Sequence, residues 1–135
     1  MTKVTLNKAA IAKLKNKAKT AFKKTNTQLG KSFAETIKSK TAFSYLGFNN
    51  WDIVDTGRLR DSQHCDVVRE TDNKIEEVWT WDPIDPETGR NYAGDVLVGF
   101  ISINGNWIPG RNWPERGVEN LNPVEVFKTE LKALL

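Results

Sequence analysis

The sequence predicts an α+β fold: a long N-terminal helix, a mostly antiparallel β-sheet with long loops, and a short C-terminal helix. Apolar residues recur at three- and four-residue steps through the first third. Short β-branched and aromatic runs, separated by turn formers, fill the middle. A capped apolar stripe closes the chain. Strands in succession flanked by helices favour an antiparallel sheet over alternating βαβ units. At 135 residues the expected organisation is a single domain, 1–135, with one core.

In the first third, Ile11, Leu14, Ala18, Phe22, Leu29, Phe33 and Ile37 keep one helical phase, with Thr25 filling the gap. Asn7 is placed to cap this helix, because its side chain can accept from the free amides of the first turn. Gly30 should weaken the helix by about 1 kcal/mol relative to alanine, so a kink or break is expected there. An aromatic, loop-like segment from Ala42 to Trp51 follows. Strands are expected within 63–70 and 75–81, joined by Thr71-Asp72-Asn73-Lys74, with Ile75, Trp79 and Trp81 on one face and Val78 on the other. Two prolines and a glycine make the segment from Asp82 to Arg90 a loop. The apolar run Val96–Ile103 reads as a strand buried on both faces, ended by a turn at Asn104-Gly105. Trp107 to Gly117, with Pro109, Gly110 and Pro114, reads as irregular. In the last helix Asn122 is the expected cap, Pro123 and Glu125 suit the first turn, and Phe127, Leu131 and Leu134 form the apolar side.

The formal net charge of +3 conceals a division along the chain. Residues 1–40 carry eleven lysines and one acid, Glu35, for +10; the remainder holds nine basic and sixteen acidic residues, for −7. Such polarity points to charged partners, either nucleic acid or further copies of the chain. A lysine-rich helix supplies phosphate contacts, so a non-specific DNA-associated protein is one expected function. Lysine where arginine would give bidentate recognition, and the lack of an aromatic RNA-binding motif, argue against sequence-specific reading.

Catalytic and metal chemistry find little support, and neither an enzyme nor a cofactor is expected. Cys65 and His64 are the only residues of their kinds, which excludes an intrachain disulfide and a cysteine-based zinc site. As neighbours in a strand they would point to opposite faces and form no dyad. Asp82, Asp85 and Glu87 lack the alternating ligand spacing of a calcium loop. Gly94 to Gly99 and Gly105 to Gly110 lack phosphate-cradling spacing. No run is long and apolar enough for a bilayer, nor does the N-terminus resemble a signal peptide, so no membrane partner is expected and synthesis in the cytoplasm is the default.

The segment Val54-Asp55-Thr56-Gly57-Arg58-Leu59-Arg60-Asp61-Ser62 resembles the signature of a family of small tailed-bacteriophage proteins at the head–tail junction, described as neck, tail-completion or minor tail components. In that family a similar segment follows a long helix and precedes the first strands. A Tyr-Ala stretch and a Pro-x-Arg-Pro-aromatic segment come later. Here Tyr92-Ala93 and Pro109-Gly110-Arg111-Asn112-Trp113 occupy those places, with Asn112 where the family usually has proline and a longer loop over 82–91. Within the motif, Asp55 can cap a tight turn, Gly57 permits a conformation that strains other residues, and Leu59 can anchor the turn while Arg58 and Arg60 project outward.

The resemblance implies a virion protein, made in the host cytoplasm, that terminates the tail or joins it to the head. It implies a homo-oligomeric ring, six copies by analogy with the tail, in contact with other neck, portal-adaptor and tail-tube proteins and passed by translocating DNA. Aromatic and arginine side chains are favoured at such interfaces. Trp107, Pro109, Arg111 and Trp113, with Arg58 and Arg60, are therefore the candidate subunit interface, core packing being the competing role for either tryptophan.

Overall fold

A computed structural model describes residues 7–38, 58–101, 105 and 107–135. The aromatic segment 42–51 and the motif residues Asp55, Thr56 and Gly57 lie outside them. Among the described residues the order is α1 (Lys8–Lys38), α2 (Arg58–Asp61), β1 (His64–Thr71), β2 (Lys74–Thr80), α3 (Ala93–Val98), β3 (Gly99–Ile101), β4 (Trp107–Pro109), α4 (Trp113–Leu121) and α5 (Pro123–Leu134). The fold is α+β, as expected, with its strands in two antiparallel pairs, β1–β2 and β3–β4.

Helix α1 starts where Asn7 accepts from the Ala10 amide through its Oδ1 at 3.1 Å. It runs 31 residues and passes through Gly30 without a break. The glycine serves packing instead. A Cβ there would lie 2.3 Å from the Trp79 ring, so the indole of β2 occupies the space of the missing side chain. Gly117 of α4 plays the same part against Phe33, at 2.5 Å.

The buried stripe of α1 is more polar than its apolar spacing suggests. Leu14 is exposed, whereas Thr25, Asn26, Ser32 and Thr36 are buried beside Ala21, Phe33 and Ile37. Each buried polar group is satisfied, as burial requires. Thr25 and Thr36 donate to the carbonyls one turn back, of Ala21 and Ser32, both at 2.8 Å. Ser32 donates to the Gly117 carbonyl at 2.7 Å, pinning α4 onto α1.

The core lies where α1 meets α2, α3 and α4. Ile37, Leu59, Val96 and Trp113 pack together, with Trp81, Tyr92 and Ala93 at the margin. Aromatic rings extend it toward β2: Phe33 stands edge-on to Trp79 and Trp81, with centroids 5.5 and 5.1 Å away, and Trp81 stands edge-on to Trp113 at 5.6 Å. Such edge-to-face pairs are favoured by the ring quadrupoles.

Three local expectations are corrected. The described part of the run, Val96–Ile101, is not a doubly buried strand: residues 93–98 form a helical turn, and among the described residues the strand is Gly99–Ile101, with 102–104 outside them. The Asn91 side chain accepts from the Ala93 amide at 3.0 Å and opens the turn. Gly99, at φ 99° and ψ 164°, reverses the chain in a region only glycine visits readily. Val98 and Ile101 are left exposed. Residues 107–117 are not irregular either, since they hold β4 and the start of α4. Asn112 caps α4: its side-chain oxygen accepts from the Glu115 amide at 3.1 Å, and its side-chain amide donates to the Glu115 carboxylate at 2.7 Å. Finally, Asn122 does not cap α5 with its side chain. At φ 55° it is the left-handed hinge between α4 and α5.

Candidate interaction surfaces

From the motif, α2 is a single turn closed by the Ser62 amide on the Arg58 carbonyl at 2.9 Å. Leu59 enters the core at 1% exposure. The Ser62 hydroxyl donates to the Leu59 carbonyl at 2.8 Å and accepts from the Asp82 amide at 3.1 Å, tying the turn to the 82–91 loop. Arg58 is exposed, and Arg60 pairs with Asp61 at 3.2 Å.

The second candidate group divides. Trp113 (2% exposed) and Arg111 (5%) are buried within the chain's own fold and present no surface to a neighbour. The reason is local. The Arg111 amide donates to the Val96 carbonyl at 2.8 Å, and a Cβ at Gly110 would lie 2.3 Å from the Leu97 carbonyl oxygen. That close approach drives the 110–113 segment inward. Trp107 behaves oppositely. It pairs across the ladder with Ile101, and the two are more than half exposed (59% for Trp107, 69% for Ile101); Val98, at the end of α3, is 70% exposed as well. Pro109 contributes its backbone opposite Gly99. Sequence spacing did not single out Ile101 and Val98, because an apolar run reads as interior.

Seven of the nine lysines of α1 fall into two sets. Lys15 donates to the Asn73 side chain, Lys19 to the Thr71 carbonyl, and Lys19 and Lys23 lie 3.9 and 3.7 Å from the Glu70 carboxylate. The acidic hairpin thus meets part of the basic helix within one chain. Beside this contact an open groove of about 280 Å³ is lined by Ala18, Phe22, Ile75 and Phe127, with Lys15, Lys19 and Lys74 at its rim. Lys13, Lys17, Lys24 and Lys31 belong to the other set and form no ion pair among the described residues.

Beneath the hairpin a polar cluster joins Asn26, Cys65, Glu77 and Trp79. Asn26 donates to the Glu77 carboxylate and to Cys65 Sγ at 3.2 Å, while the Trp79 indole donates to Asn26 Oδ1 at 2.8 Å. Burial pushes the Cys65 thiol up to about 11, and the Glu77 carboxylate adds to the rise. Thiolate is the reactive species, so at pH 8 alkylation by iodoacetamide should run on the order of 100-fold slower than in the unfolded chain. Equal rates in the two states would remove the cluster's hold on the thiol. His64, on the opposite face, bonds the Ser62 carbonyl at 2.9 Å; that contact, with Asp82 and Asp66, raises its pKa. Among the described residues, no three His, Cys, Asp or Glu side chains are grouped to hold a metal, and no helix is long and apolar enough to cross a membrane.

Against known proteins, the chain matches no family model, no curated protein and no solved structure.

Proposed function

We propose that this chain is a structural subunit of a tailed-bacteriophage neck, assembling into a ring that terminates the tail or joins it to the head. The exposed β3–β4 arm carries this reading. A cross-strand Ile101–Trp107 pair is costly to leave in water, and large exposed apolar groups side by side mark interaction surfaces. Tryptophan is also enriched among the residues that dominate protein interfaces. The motif from Val54 to Ser62 adds the family resemblance. Its described part packs Leu59 into the core and leaves Arg58 outward. Within the reading, copies meet head to tail through two different patches, which closes a ring, of six in analogy with the tail. Portal-adaptor and tail-tube proteins lie above and below it, and no cofactor takes part.

Size-exclusion chromatography with light scattering, followed by negative-stain imaging, tests this directly. A ring is expected for the native chain. Trp107→Ala should abolish or weaken the ring while shifting stability by no more than about 0.5 kcal/mol, as for other surface substitutions. A chain that stays monomeric and also fails to bind purified tails or portals removes the reading.

A further inference from the structure

Helix α1 turns its core-facing side chains, Ala21, Phe22, Thr25, Leu29, Phe33 and Ile37, toward the rest of the molecule. Lys13, Lys17, Lys24 and Lys31 follow one another at steps of four, seven and seven residues. At 3.6 residues per turn these steps keep all four on one narrow stripe, on the far side of the helix from the core. The stripe is about 27 Å long at 1.5 Å per residue. Residues 13–31 contain no acid; Glu35, the only acid of α1, lies one turn beyond Lys31. Thr20, Thr27 and Gln28 separate the lysines on this side, and no large apolar side chain stands among them.

We infer that Lys13, Lys17, Lys24 and Lys31 form a sequence-independent contact with the backbone of double-stranded DNA. The contact belongs to the single chain and does not depend on ring formation. Two partners could neutralise such a stripe, DNA or an acidic protein face, and its composition separates them. Protein interfaces are depleted of lysine and built around apolar anchors, which this face lacks. Backbone phosphates need only point charges in a row, and lysine supplies them without base-specific geometry. The lysines bound to the hairpin, Lys15, Lys19 and Lys23, are already partly spent within the fold.

Fluorescence anisotropy with two unrelated 30-base-pair duplexes, across a salt series, tests the inference on the full chain. Four phosphate contacts give a slope of log K against log salt of about −3.6, an affinity loss of about 150-fold between 50 and 200 mM, equal for both sequences. Lys13→Gln/Lys24→Gln should reduce the slope by about half, and the fourfold Gln variant should remove most of it. Lys15→Gln/Lys19→Gln should retain the greater part. A melting curve shows whether each variant folds, and the double variant gives the readout if the fourfold one does not. An unchanged slope in the variants, or no binding at 50 mM salt, overturns the inference. So does a fourfold variant that loses self-association yet binds DNA like the native chain, because the stripe would then face another copy. Failure of the ring with the salt slope intact would strike the neck reading alone.

Discussion

Trp113→Ala is expected to cost about 3–5 kcal/mol of stability, the range for removing a large buried aromatic. The side chain is 2% exposed, shares its cluster with Ile37, Leu59 and Val96, and stands edge-on to Trp81. Truncation would open a void at the junction of α1, α2, α3 and α4. Against a typical domain stability of about 5–15 kcal/mol, such a loss leaves a marginal or unfolded chain. Urea denaturation monitored by circular dichroism measures it. The contrast with Trp107→Ala is informative: two tryptophans six residues apart are expected to give opposite phenotypes, one in folding and one in assembly. A Trp113→Ala chain as stable as the native protein would show that the 110–113 segment does not pack inward.

Gly30→Ala tests a matter of sign. Intrinsic helix propensity favours alanine by about 1 kcal/mol. The new Cβ, however, would lie 2.3, 3.0 and 3.1 Å from three atoms of the Trp79 ring. That ring is rigid, donates to Asn26 Oδ1 and stacks against Trp81, with a centroid separation of 6.5 Å, so it cannot swing away cheaply. Overpacking of a filled site typically costs about 1–3 kcal/mol. A net loss is therefore expected, seen as a lower denaturation midpoint with unchanged slope. A more stable Gly30→Ala protein would mean that the β1–β2 hairpin does not seat on α1 as described. Gly30→Ala/Trp79→Ala should then be no worse than Trp79→Ala alone, because the clash and its partner vanish together.

Periodicity and punctuation carried the architecture. The three- and four-residue spacing of α1 announced a long helix, and Asn7 its start, since capping is a local matter of one side chain and one amide. Turn formers at 71–74 placed β1 and β2 within a residue or two, and the 82–91 loop followed from Pro83, Pro86 and Gly89. Pro109, Gly110 and Pro114 made 107–117 read as irregular, although Asn112 caps α4 and Pro114 sits in a first turn that needs no proline amide. Val96–Ile103 was not legible in that sense, because a short apolar run fits a strand or a helical turn equally well.

Composition and local spacing by themselves determined that this chain is α+β and carries a long basic helix near its N-terminal end. Only the tertiary structure decided which of the notable residues are interior. Gly30, a weakness in an isolated helix, became a socket for Trp79 because another element came to fill it. Arg111 and Trp113 turned inward and Trp107 outward because Gly110 lets the backbone press against residues 97 and 98. Burial arises from contacts between segments distant in the chain, whereas caps, turns and periodicity arise from neighbours, and that difference in range separates what was readable from what was not.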